Sequence, residues 1–468
     1  MDRHASALDV AAAIRAREVS PSEVLDHYLG QVDRLDPHLN AFAFRDDERA
    51  RADARAADDL VASAAAEDLP AFCGVPIPIK DLYDVAGWPT SNGSRAGSDE
   101  PASDDELSVG RLRGAGFVLM GKTTAPELGT ISCTESMRFG PTRNPWNQGH
   151  TPGGSSGGAA AAVASGMAPI AHASDGGGSI RIPASCTGLV GLKPSRNRIT
   201  GLTEKLTGGA TCGVLTRTMA DTAAALDVMA VFDPGAWNLA PAPARPYARE
   251  VGAAPGRLRI RVCTDNVLGV PLDDACSAAI WRTADLLRGL GHEVVEGPPE
   301  WPDPGEFLAG FLTVWNTISA GERLTDPALL EPHNVANRTE AEATGSIAYV
   351  ESEHMLQRSS RAFTPQFGRD FDVLVTPTMA VEPPEVGSVW AGMEDDPTAP
   401  VNNCIPMAVY TAMFNVTGLP ALSLPVHVAD SGLPVGVQFA APPWQDDLLI
   451  RLGSQVEAAS PWAELPRL

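Results

Sequence analysis

Lysine is nearly missing from this sequence. Of the 35 basic residues only four are lysines, Lys80, Lys122, Lys193 and Lys205, and the other 31 are arginines. A chain that carries its surface charge on arginine keeps lysine by chance or where arginine cannot replace it. What arginine lacks is the ability to lose a proton near neutral pH. Positive charge as a whole is scarce, with a formal net charge of −23. Polyanions need clustered Lys and Arg, so nucleic acid is excluded as a partner and strongly anionic substrates are disfavoured. The seven cysteines are odd in number and form no C-x-x-C pair, which argues against zinc and disulfide frameworks and fits a reducing cytoplasm. The nine histidines include no H-E-x-x-H, so no metal site is read and no cofactor is expected. No run of about 18 apolar residues occurs, so no spanning helix and no membrane partner are expected. The first residues, MDRHASALDVAAAIRAREVS, lack the apolar stretch and cleavage site of a secretory leader, so export by that route is not expected.

Glycine is plentiful, at 44 residues, and its densest stretch organises the chain. Residues 153–183 read GGSSGGAAAAVASGMAPIAHASDGGGSIRIP, with Ser155 and Ser179, 24 positions apart, each wrapped in glycine. Consecutive amides around Gly176, Gly177 and Gly178 can point at one atom, as an anion hole requires. The blander reading is two Gly/Ser turns flanking a buried helix. Residues 153–157 also fit G-x-S-x-G, the nucleophile elbow of α/β-hydrolases. That elbow needs a strand directly before it, and WNQGHTP is not one. Lys80 follows VPIPI, an apolar setting in which an amine can be neutral, whereas Lys122 and Lys193 fall in segments read as loops.

The local pattern is that of an α/β chain. Ser20-Pro21-Ser22-Glu23 is a capping box opening a helix over 21–35, ended by Asp36-Pro37. Residues 75–79, interrupted by proline, read as an edge strand or a strand end that delivers Lys80. Residues 258–263, 273–290 and 292–295 read as a β-α-β unit. Residues 306–370 are mostly helical, 372–376 a buried strand, 421–426 and 435–440 a hairpin, and 446–458 a closing helix. Residues 130–152 show turn formers without a clear strand and are expected to line a cleft.

The whole pattern in 153–183, GGSSGG followed by small residues and then Asp175, Gly177, Ser179, Ile180, Arg181 and Pro183 as D-x-G-x-S-[IV]-R-x-P, resembles the amidase signature family. GPTRNPWN, GLVGLKP and FNVTGLPALSLP extend the resemblance nearly end to end. It implies an α/β fold with a large twisted mixed β-sheet covered by helices on both faces. It also implies one domain, with a helical lead over 1–66, a catalytic core over 67–233, a loop over 234–256, and a half over 257–468 that completes the sheet and the substrate pocket. By the resemblance Lys80 is the base, Ser155 the relay after a cis peptide, and Ser179 the nucleophile. The oxyanion would meet the amides of Gly176, Gly177, Gly178 and Ser179. Ser156 is read as a helix cap or orienting donor, Ser174 as orienting the lysine or the loop, and Asp175 with Arg181 as a buried ion pair holding the loop. Position along the chain assigns Gly129, Thr130, Ser132 and Trp315 to the substrate pocket, against the commoner role of tryptophan in a core.

The activity implied is hydrolysis of a small-molecule carboxylic amide to carboxylate and ammonia or amine, with no cofactor and no metal. A homodimer is the frequent assembly of the family. One alternative is an amidotransferase subunit that passes ammonia to a partner. The S-L-D-Q-x-G-P segment of that subunit is replaced here by GGATCGVLTRT. Another is a hydrolase of cyclic and linear aminohexanoate amides, which SIRIPAS and RNPWN resemble.

Overall fold

The strands assemble into two main sheets in a computed structural model that describes residues 2–322, 324–466 and 468. β1 (Phe42–Phe44), β2 (Pro76–Lys80) and β3 (Val118–Thr123) form a small sheet in the order β1-β3-β2. β2 is therefore an edge strand, as its prolines require, since each lacks the N–H that an inner strand must donate. β4 (Glu135–Ser136) and β5 (Gly140–Pro141) make a short antiparallel pair. The main sheet takes β6 (Ala171–Asp175), β7 (Val190–Lys193), β8 (Thr211–Thr216), β9 (Arg259–Val262), β10 (Glu293–Glu296), β11 (Val373–Pro377), β12 (Ala421–Val428) and β13 (Pro434–Ala440). Its order is β10-β9-β11-β13-β12-β7-β8-β6, parallel from β10 to β11 and antiparallel beyond, so it is mixed.

Helices cover both faces because the strands alternate. On paired positions of β7 and β12, Gly191 and Ser423 are neighbours, as are Leu192 and Leu422. Gly191 lies under Ala184 of the helix Arg181–Thr187. On the opposite face Leu422 meets the helix Asp446–Ala459, and Leu192 faces Leu226 and Met229 of the helix Met219–Met229. One hydrophobic core reaches from Ala7 to Val456. No helix among the described residues is long and apolar enough to cross a membrane.

Three local expectations need correction. The helix begun by the Ser20 capping box runs through Pro37 to Leu39 and ends at Asn40, which adopts φ 53°. Pro37 falls in its last turn and forgoes one i→i−4 bond there, and Asp36 turns the chain by accepting from the amides of Ala41 and Phe42. Lys122 and Lys193 lie in strands, at the ends of β3 and β7, and not in loops. Of residues 130–152, the first three line the cavity described below, residues 135–141 hold the β4–β5 pair, and Asn144 and Trp146 bond the carbonyls of Cys186 and Thr187.

Candidate active site

β2 and β6 lie side by side and end together, which brings Lys80 to Ser174. The turn at 153–156 is folded over them. Gly157 begins a helix, Gly157–Ala164, whose eight residues are all buried. The small-residue run has a steric cause, since a side chain at Gly158 would place Cβ 2.3 Å from the Thr124 hydroxyl. The bland sequence reading, turns around a buried helix, is thus true of the backbone, and the polar groups are mounted on it.

Lys80 is 0% exposed. Its Nζ donates to Ser155 Oγ at 2.8 Å and to Ser174 Oγ at 3.0 Å, with Ser174 O at 3.5 Å. The Gly154–Ser155 peptide is cis. Burial pulls the Lys80 ammonium down to about 7, against the opposing charge of Asp175. The other lysines have different company. Lys122 pairs with Asp81 at 3.0 Å, Lys193 donates to the Pro194 carbonyl at 2.8 Å, and Lys205 meets Glu322 at 2.5 Å in a half-exposed pair. Lys122 also donates to the Thr90 hydroxyl at 2.6 Å, beside its carboxylate, whereas Lys80 bonds two serine hydroxyls and no carboxylate.

Ser179 is 7% exposed and lines two cavities. The smaller, about 60 Å³, also holds Ser155, Ser174 and Gly176. The larger, about 130 Å³, runs between Thr130, Ile131 and Ser132 on one side and Phe307, Phe311 and Ala412 on the other. Gly129 and Trp315 border both. Trp315 stacks on Phe311 at 5.3 Å and its Nε1 donates to the Thr130 carbonyl at 3.2 Å, so it serves packing and cavity wall at once. A further cavity of about 630 Å³, between the N-terminal residues and the C-terminal tail, touches none of these side chains.

The 175–181 turn is held from inside. Arg181 Nε and Nη2 donate to the Asp175 carboxylate at 2.9 and 2.8 Å. Its remaining N–H groups reach the side chains of Asn415 (2.6 Å) and Gln438 (2.7 Å) and the Thr411 carbonyl (2.9 Å). Burial opposes charge on Asp175, but Arg181 outweighs it and holds the carboxyl well below the usual range. Removing one partner of a buried ion pair leaves the other uncompensated. Arg181→Met is therefore expected to lower unfolding free energy by about 3–5 kcal/mol, read as a reduced urea midpoint.

Two sequence expectations change here. Gly178 is not a free donor: its N–H is given to Asp175 Oδ1 at 2.8 Å. It adopts φ +135° and a side chain would strike Thr411, so its glycine serves the turn. The amides of Gly176, Gly177 and Ser179 have no partner among the described residues and remain as the candidate oxyanion donors. Ser156 stands at the helix N-terminus without capping it. Its hydroxyl instead bonds the Ser174 backbone, donating to O at 3.2 Å and accepting from N at 3.3 Å, the orienting role.

Sequence reasoning passed over Asn415, Gln438 and Thr411, which lie far along the chain, and the apolar wall. Phe307, Phe311 and Trp315 recur every four residues on the helix Pro304–Gly321, and that periodicity is a usable signal for one shared face. Among the described residues no group of three or more His, Cys, Asp or Glu is placed to hold a metal ion.

Comparison with known proteins follows the same lines. A family model described as Amidase matches residues 23–450. A 6-aminohexanoate-cyclic-dimer hydrolase from Pseudomonas sp. (strain NK87) is 35% identical, over 98% of this chain and 95% of its own. A solved structure of a 6-aminohexanoate cyclic dimer hydrolase complexed with substrate superposes with TM-score 0.94, at 34% identity, covering 100% of this chain and 99% of that one. The peptide amidase of Stenotrophomonas maltophilia superposes with TM-score 0.82, at 27% identity, covering 99% and 98%.

Proposed function

The chain belongs to the amidase signature family of amide hydrolases, and from that premise we propose that it acts without a partner on carboxylic amides carrying an uncharged, largely apolar acyl chain. The observation that carries this reading is Lys80. Its amine is fully buried, brought to about 7 by that burial, and within 3.0 Å of two serine hydroxyls. A serine hydroxyl becomes a competent nucleophile when a neighbouring base takes its proton. Neutral Lys80 accepts the proton of Ser155, Ser155 accepts that of Ser179, and Ser179 Oγ adds to the amide carbon. The oxyanion sits against the amides of Gly176, Gly177 and Ser179, each such donor being worth about 3 kcal/mol of barrier. The proton returns along the serines to the departing nitrogen, which leaves as ammonia or amine. Water, deprotonated by the same relay, then cleaves the acyl-enzyme to carboxylate.

The apolar walls of the larger cavity, Phe307, Phe311, Trp315 and Ala412, support an uncharged acyl arm, since an unpaired charge is costly to bury there. Simple linear amides are the substrates of first choice. The near full-length likeness to cyclic-dimer hydrolases favours cyclic and linear aminohexanoate amides as a second reading. A panel of aliphatic, aryl, peptide and cyclic amides, followed by amine release from the purified chain, tests both. Neutral apolar amides are expected to exceed carboxylate-bearing analogues of equal length by about tenfold or more in kcat/KM, a difference of about 1.4 kcal/mol or more. Preference for the charged analogues would contradict the reading of the cavity. Turnover only with an added partner would favour the amidotransferase role instead.

A further inference from the structure

The two cavities that meet at Ser179 are not equivalent for the reaction. Ser155 lines the smaller one and not the larger. In the tetrahedral intermediate Ser179 Oγ is bonded to the acyl carbon and carries no proton. The departing nitrogen then takes its proton from Ser155 Oγ and lies within hydrogen-bond reach of it. The amine half of the substrate therefore points into the smaller cavity, and the acyl half into the larger. Gly129, at φ +72°, keeps that space open. A side chain there would place Cβ 3.2 Å from Ser155 Oγ and 2.8 Å from Leu82 Cδ1.

The smaller cavity is walled by buried and half-buried residues except at one end. Among its described lining residues Lys205 alone is exposed, and there it pairs with half-buried Glu322 at 2.5 Å. The pair joins two separate elements. Lys205 comes from the 201–208 loop, and Glu322 directly follows the helix Pro304–Gly321, which also gives Trp315 and Ile318 to the cavity wall. The loop passes over the oxyanion turn: a Cβ added at Gly176 would come 2.8 Å from Leu206 Cδ1. Residues 201–205 are exposed. The loop is anchored at its far end, where Arg196 Nε donates to the Gly208 carbonyl at 3.1 Å. Asn238 Nδ2 also reaches Glu204 Oε1 at 2.9 Å, from the side away from the helix. Lys205 is thus the side chain that ties this loop to the helix across the cavity mouth.

We propose that Lys205 and Glu322 set leaving-group selectivity: their ion pair closes the outer end of the smaller cavity, so that ammonia and short amines are released within it while longer amines must part the pair. The inference rests on the amide-hydrolase reading and adds to it which side of the substrate is measured for length. A cavity of about 60 Å³ takes a few heavy atoms, and a longer N-alkyl tail reaches the pair. The pair is half exposed, so parting it is a modest obstacle, and its share of the selectivity is about three- to fivefold.

The test compares kcat/KM for N-methyl and N-hexyl amides of one fixed acyl chain. The unmodified chain is expected to favour the N-methyl amide. Lys205→Ala and Glu322→Ala should each raise the N-hexyl to N-methyl ratio by about three- to fivefold, and the double variant no further, because either change removes the same pair. Combining Lys205→Glu with Glu322→Lys should restore the unmodified ratio. A ratio within one protein does not depend on the fraction folded. An unchanged ratio in both single variants, or gains that simply add in the double variant, would overturn the proposal. So would a shift in acyl-length preference at a fixed amine in place of the amine-length shift, since that would put the acyl arm at the pair. Absence of turnover on any amide would count against the hydrolase reading, and calorimetry then decides the pair. Ser179→Ala should bind the N-hexyl amide more tightly, relative to the N-methyl amide, once Lys205→Ala is added, and no such gain would overturn the role of the pair.

Discussion

Ser179→Ala is expected to lower kcat for amide hydrolysis by on the order of 10⁴- to 10⁶-fold with the fold intact. A catalytic unit of nucleophile, relay and base loses nearly all its rate when the attacking atom is removed, and what persists comes from binding and oxyanion contacts. No hydrogen bond recorded among the described residues depends on the Ser179 hydroxyl, so its loss leaves the Lys80–Ser155 link and the Asp175–Arg181 pair in place. Ser156→Ala is the informative control. Ser156 sits beside Ser155 but bonds the backbone of Ser174 twice, so its loss should cost no more than about 30-fold, the scale of two hydrogen bonds of about 1 kcal/mol each. Burst kinetics with an activated ester or anilide would show the acyl-enzyme in the unmodified chain and none in Ser179→Ala.

Lys80→Arg is expected to be almost as damaging, by about 10³-fold or more in kcat/KM. Arginine keeps the positive charge but not the ability to shed it, so it cannot take the Ser155 proton. The sign of the pH dependence follows. The base must be neutral to act, and it is brought to about 7, so kcat/KM should fall about tenfold per pH unit as pH drops below 7 and level off above it. Lys80→Arg should show residual activity without that acid limb. A purely structural lysine would tolerate arginine better and would leave the limb where it was.

How much of this was legible in the residues depends on distance along the chain. The Asp175–Arg181 turn could be read because its two ends are six residues apart, so local spacing fixes their meeting. Lys80 stood out because lysine is rare and because PIPIK predicts a buried edge strand. Asn415, Gln438 and Thr411 stayed unassigned since their bonds to Arg181 span 230 residues and more, and only the folded sheet brings β13 under that turn. β6 and β8 were invisible as strands. Both are wholly buried and built from small and polar residues, so neither shows an in-out alternation. Gly178 was misread because its composition suits an anion hole equally well. Whether its amide is free depends on the turn that hands it to Asp175.

The central claim, a buried amine that is neutral at working pH, can be measured directly. With four lysines in the chain, ¹³Cε-lysine labelling gives a spectrum of four signals, and Lys80→Arg identifies the one belonging to Lys80, separating it from buried Lys193. A Lys80 signal that titrates near 7 is the expected result. A signal that stays in the ammonium position until about pH 10, as for a lysine in water, would contradict it.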